Sequence, residues 1–252
     1  MSLVLIQLTS MAALAPETLI QIGNFPFTNT LLHTLIVDAL VITGTVVLSK
    51  NFQKVPGLFQ NMVEYATEAM FDITESIAGK NAEKVFPWFM GFFLFIVVAN
   101  ITALFPGFGT IGFQKGEEFV PLLRSATSDI NTTLALAVVA TVATQALAIK
   151  AVGIKSHILR YLSFNPIFLF VGLLEILSVF TNIISLSFRL FGNIFAGEVV
   201  LSTISAIFAF ILPIPFMALE IIVALVQALV FAILTMGFMS ILMTPHNEGG
   251  EH

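Results

Sequence analysis

Ser185-Leu-Ser-Phe-Arg189-Leu-Phe-Gly-Asn193-Ile-Phe-Ala-Gly-Glu198 decides how this sequence is read, because it sets an arginine among some twenty mostly apolar residues on either side. An arginine at the centre of a hydrocarbon layer costs at least about 2.5–3.5 kcal/mol on insertion scales, so it persists only where it faces protein or water and serves a purpose. The purpose such a charge serves most directly is the handling of ions. Every other segment reads as scaffold for it.

Composition places the stretch in a membrane. The chain has 252 residues, 58% of them hydrophobic and only 10% charged, with 26 Phe, against about 25% charged residues in soluble domains. The expected fold class is an all-α membrane protein: five membrane-embedded helices plus a surface amphipathic helix, the last two helices forming a long tilted hairpin. With no cysteine, disulfides, thiolate nucleophiles and Cys-ligated metals are excluded. The net charge of −5 argues against a nucleic-acid partner.

Outward from the quoted stretch, the chain reads as one integral membrane domain over 1–252. Residues 1–28 lack Lys and Arg, and so lack the basic region of a secretory signal; they form an outer N-terminal segment. A first span covers 29–49, about 20 residues and long enough for about 30 Å of hydrocarbon, with His33 and Asp38 in it. Residues 50–84 alternate charges with apolar side chains at near-helical spacing, which suits a helix lying on the membrane surface or against a partner, or equally a solvated connector. Span two, 85–106, ends at the turn signal Pro106-Gly-Phe-Gly109. Asp129 caps span three, 129–149, by accepting free amide hydrogens at its start. Residues 150–165 read as a basic loop. Residues 166–212 contain no interior Pro and no charged loop; as one helix of about 46 residues they are about 70 Å long, more than twice the hydrocarbon thickness, and must tilt strongly. Leu212-Pro-Ile-Pro215 makes the turn into a final helix, 214–244, and 245–252 form a polar tail. Lys50, Lys54, Lys80, Lys84, Lys150, Lys155 and Arg160 fall on one side of this topology, Lys115 and Arg124 on the other, so the N-terminus is expected outside and the C-terminus in the cytoplasm.

At about 100° per residue, Glu175, Ser178, Asn182, Ser185, Asn193 and Ala196 lie within about 40° of the Arg189 direction. Lipid penalises every polar member of that stripe, so it must face a protein partner or an aqueous cavity. Gly192, Ala196 and Gly197 are small enough to admit another helix beside the charge. A guanidinium does not carry the proton itself; its natural role is to lower the pKa of a carboxylic acid that arrives, loses its proton and leaves. Glu198, nine residues on, lies about half a turn round the helix and about 13 Å along it. In the final helix Glu220 and Gln227 share a face, and an antiparallel hairpin brings Glu220 towards Glu198 and Gln227 towards Arg189, with the register open by about two turns.

Plainer readings stand beside these. Arg189 also suits a structural salt bridge to Glu198 or Asp38. Glu175 is either an access-channel group or a carboxylate buried by hydrogen bonds, Asp38 a proton-path group or a helix contact, and His33 a packed histidine or a relay. Ser178, Asn182 and Ser185 suit interhelical hydrogen bonds as well as an ion path.

The run Arg189-Leu-Phe-Gly-Asn-Ile-Phe-Ala-Gly-Glu198, with Glu175 before it and Glu220 and Gln227 after it, closely resembles subunit a of F-type ATP synthases. Asp38 in span one and the start of span three at Asp129-Ile-Asn131-Thr-Thr-Leu extend the likeness over most of the chain. The resemblance implies an ion-translocating stator subunit, most directly a proton-translocating one, that offers two half-channels to the carboxylates of a rotating c-ring. Arg189 matches the arginine that gates between them. Asn193 and Gln227 position it, Glu198 and Glu220 with Asp38 and Asn131 serve the outer channel, and Glu175 belongs to the other. Ring subunits are the implied partners along the Arg189 face, and membrane subunits b of the peripheral stalk near 50–84. No catalytic site, cofactor or metal is implied. Some family members carry a histidine where this chain has Glu198 or Glu220, which leaves open which acid is the main relay. A bacterial plasma membrane is the expected location, with mitochondrial inner and thylakoid membranes as alternatives.

A secondary transporter or channel with a structural Arg–Glu pair is the competing reading, but such transporters usually carry internal repeats, and the two halves show no self-similarity. An intramembrane hydrolase needs a nucleophile with a base or a metal cluster, and the four histidines are scattered.

Overall fold

The computed structural model describes residues 16–23, 25–105, 111–115, 118–161, 166–207 and 212–244. The turn expected at 106–109, the polar tail and residues 1–15 lie outside them. Among the described residues the protein is all-α apart from two short hairpins, β1 (Thr18–Ile22) with β2 (Phe25–Thr28) and β3 (Gly112–Lys115) with β4 (Glu118–Pro121).

Helix α1 (Asn29–Lys50) starts where the Thr28 hydroxyl accepts the Leu31 amide hydrogen, a side-chain N-cap. Among its residues only Asn29, Thr30, His33 and Val37 are buried, so the helix packs through one end and one narrow stripe. Leu35, Leu40 and Ile42 point outward. Lipid tails solvate such apolar faces, so in a bilayer they need no protein cover.

Helix α2 (Leu58–Ala78) is the amphipathic element. It stops at Gly79, whose φ of 51° is open to glycine and strained for other residues, and a 3-10 turn leads into α3 (Ala82–Ala103). Helix α4 (Ile130–Val152) ends at Gly153, φ 89°, whose amide bonds the Ile149 carbonyl. That break frees α5 (Ile154–Tyr161), where the sequence suggested a basic loop. His157, Arg160 and Tyr161, spaced i, i+3, i+4, form its covered face.

Helix α6 (Pro166–Ile207) is unbroken over 42 residues, about 63 Å at 1.5 Å per residue. Pro213 begins α7 (Pro213–Met243), so the prolines expected in a turn both sit in the first helical turn. There a missing N–H costs nothing, because the first amides of a helix have no intrahelical partner. Among the described residues five helical stretches are long and apolar enough to cross a membrane: α1, Leu58–Ala103 with α3 in it, α4, α6 and α7.

By packing, the chain forms two compact units, each drawn from three stretches. One takes Met1–Phe52, Phe93–Thr133 and Phe188–Leu229, the other Gln53–Phe92, Leu134–Ser187 and Val230–His252. The first has Val37, Ile96, Ala99, Leu190, Ile194 and Ala224 in its interior; the second has Val85, Phe89, Ala137, Ala140, Phe231 and Met236. Frequent alanine lets helix backbones approach closely, which is how helices gain dispersion contact in lipid.

Asp129 ties the first unit together. Its carboxylate accepts from the Asn131 amide at 3.0 Å, capping α4, and from Thr30 Oγ1 of α1 at 3.2 Å. Asp129→Ala removes the cap and the interhelical bond at once. The expected loss is about 1–2 kcal/mol for the cap, with a further part of a kcal/mol for the second bond, seen as a lower melting temperature of the solubilised complex.

Candidate functional site

Arg189 sits in the interior of α6, exposed on the surface of the chain, and its side chain forms no ion pair or hydrogen bond with any described residue. Asn193 and Ala196 are exposed one and two turns on, and a Cβ at Gly192 would meet open space. Small and polar side chains therefore leave the guanidinium clear on its own face. Neither Glu198 nor Asp38 is its ionic partner, and Asp38 is itself exposed.

Gly197 serves a different purpose from Gly192. A Cβ there would overlap the carboxylate of Glu220 on α7, so Gly197 admits a side chain of the same protein rather than a foreign helix. The contact also fixes the hairpin register. Stepping seven residues along each antiparallel helix from Gly197 and Glu220 arrives at Leu190 and Gln227, so Gln227 lies level with the residue next to Arg189.

Glu198 is half-buried and Glu220 buried. Glu198 lies within hydrogen-bonding reach of Ser128 and within electrostatic reach of both Arg124 and Glu220. The cation whose field reaches Glu198 is thus Arg124, itself buried, and not Arg189.

A buried polar network continues in the same unit. Thr127 Oγ1 donates to Asn100 Oδ1 at 2.7 Å, and Asn100 Nδ2 reaches the Ala224 carbonyl of α7 at 3.5 Å, one turn from Glu220. His33 is held from both sides. The Ala126 amide donates to its Nδ1 at 2.9 Å, so Nε2 carries the hydrogen and donates to Thr102 Oγ1 at 2.9 Å, whose own proton goes to the Val98 carbonyl. The ring thereby anchors the buried 3-10 turn Ala126–Ser128 to α1 and α3, and a second proton on Nδ1 would break the Ala126 bond. This geometry fits the packed-histidine reading. Asn131 is exposed and donates through Nδ2 to Asp129.

The second unit contains a cavity of about 200 Å³ between α4, α6 and α7. Its wall is mainly apolar, from residues such as Leu186, Phe238 and Leu242, and Thr141, Thr144, Gln145, Glu175, Ser178, Asn182 and Thr235 set polar groups into it. Thr141 and Thr144 donate back to the carbonyls of Ala137 and Ala140, which leaves their hydroxyl oxygens only as acceptors. Thr235 has a buried hydroxyl with no partner among the described residues. A cavity of this size with hydroxyl, amide and carboxylate groups on a mainly apolar wall has room for waters that satisfy such groups. Glu175 is not an isolated channel acid: Arg160 of α5 approaches it, Nε to Oε1 at 2.6 Å. His157, on the same face of α5, packs edge-on against Tyr161 at 5.2 Å, and burial followed by the nearby Arg160 lowers its pKa, with Glu175 opposing.

The structure therefore gathers Glu198, Glu220 and Gly197 in one unit, and Glu175, Ser178 and Asn182 round one cavity in the other, while Ser185 is exposed and does not line it. Sequence reasoning missed Asn100, Thr127 and Thr235, and read Arg124 and Arg160 as loop charges. Asn100 carried a usable signal, an amide alone in an otherwise apolar span. The two arginines carried none, since their partners are distant in sequence.

Crossing helices that bring polar side chains to a buried cluster and to a cavity define a multi-pass membrane protein. A family model described as ATP synthase A chain matches residues 31–240. The chain belongs to that family, subunit a of F-type ATP synthases. It is an integral membrane subunit, a non-catalytic component of a complex that makes ATP and transports ions, and it assembles with the complex's other membrane subunits.

Proposed function

We propose that this subunit conducts protons between the two faces of the membrane and the carboxylates of a rotating c-ring, with Arg189 as the gate between two half-channels. The observation that carries this reading is the guanidinium of Arg189, exposed on an unbroken apolar helix and without a partner among the described residues. Exposure to lipid at that position is too costly to persist. A ring carboxylate supplies such a partner, and the open surface at Gly192 and Ala196 lets a ring helix approach.

The outer half-channel runs through Asn100, Thr127, Glu198 and Glu220, with Asn131 and Asp38 at its approach. The inner one runs through the cavity of Glu175, Ser178 and Asn182. Asn193 and Gln227 orient the arginine. Helix α2 presents its amphipathic face to the peripheral stalk's b subunits, and the whole chain forms one membrane domain, N-terminus outside and C-terminus cytoplasmic, in a bacterial plasma membrane.

The absence of cysteine makes a sided test clean. In the assembled complex, Ser178→Cys is expected to react with a membrane-impermeant thiol reagent from the cytoplasmic face only, and Asn100→Cys from the outer face only. Labelling of both from one face, or of neither, overturns the two-channel reading.

A further inference from the structure

Arg160, the partner of Glu175 at the α5 end of the cavity, has no part in either half-channel. Helix α5 is seated firmly there. Its last residue, Tyr161, puts a backbone carbonyl where a Cβ on Gly172 of α6 would be, and its hydroxyl donates to Gln145 Oε1 of α4 at 3.3 Å. Gly172 is one turn from Glu175, and Gln145 and Glu175 both line the cavity. Arg160 is thereby delivered to Glu175, with 14% and 21% of the two side chains exposed. The other groups facing this pair are His157 and Tyr161 of α5; the α4 and α7 residues that line the cavity are uncharged.

We propose that Arg160 is a positioning and charge-cancelling residue: it holds the Glu175 carboxylate at the α5 end of the cavity and makes that entrance electrically neutral, so that metal cations do not collect there. The inference rests on reading the cavity as an ion path. An uncompensated carboxylate at a narrow, low-dielectric entrance focuses its field and raises the local concentration of cations. A paired one does not. Arginine suits the task because its charge is permanent, and Nε stands 2.6 Å from Oε1 without the geometry of a hydrogen bond, so the pairing is one of charge.

The test uses Ser178→Cys in the assembled complex at low ionic strength, where screening is weak. The reaction rates of a cationic and an anionic methanethiosulfonate of similar size are compared. One unit charge about 8 Å away, even at the dielectric of water, changes the cation-to-anion rate ratio by about fivefold. Arg160→Gln is expected to raise the ratio by at least that factor, Glu175→Gln to lower it similarly, and the double variant and Arg160→Lys to stay near the parent. A purely structural role for Arg160 changes both rates together and leaves the ratio alone. Should Arg160→Gln disturb the packing of α5, Glu175→Gln still reports the opposite sign. A ratio unchanged in both single variants, with the introduced thiol reactive, overturns the inference and leaves the ion path standing. No reaction of that thiol from either face removes both.

Discussion

Replacing Arg189 with Ala is expected to abolish ATP-driven proton pumping while the complex still assembles. The side chain is exposed and makes no hydrogen bond or ion pair with the described residues, so its loss leaves the fold intact. What is lost is the attraction for an ionised ring carboxylate. At about 4 Å and an effective dielectric of about 20, that attraction is about 4 kcal/mol, so pumping falls at least about a hundredfold, to background. Arg189→Lys keeps the charge but not the planar fork, and a lysine gives up its proton more readily when desolvated; partial activity at most is expected. The measurement is pumping in vesicles, alongside passive proton leak and the subunit content of the purified complex. Unchanged pumping by an intact Arg189→Ala complex would sink the gating role.

Gly197→Ala should produce the second-largest loss, and for a different reason. The added Cβ meets the end of the flexible Glu220 side chain, not backbone, so the fold yields by turning the carboxylate aside. Stability changes little, while an acid proposed to pass protons is displaced by about an ångström, a shift that can cost up to about a hundredfold in a positioned reaction. We expect about a tenfold loss of pumping for Gly197→Ala and a complete loss for Gly197→Leu, with normal assembly for the alanine variant. Pumping by Gly197→Leu at the parent rate would show that Glu220 need not stand against Gly197.

Much of the architecture was legible in the residues because membrane helices are written locally. Five apolar stretches, each long enough to satisfy its own backbone hydrogen bonds across the hydrocarbon, gave the all-α class. Arg189 announced itself by cost alone, since a charge in such a setting is never incidental. The helical period also separated Glu198 from the arginine's face. The residues around Gly153 were less legible: a single glycine with positive φ turned an expected loop into α5.

By itself, then, the sequence determined the class of protein, the crossing helices and the arginine on which the reading centres, because each depends on spacing within one segment. Tertiary structure alone decided which charges meet. Arg124 comes within electrostatic reach of Glu198, Arg160 pairs with Glu175, and Gly197 receives Glu220. Each pairing joins separate helices or loops, so it depends on the register and approach of packed elements. Hydrophobic period within a segment specifies neither.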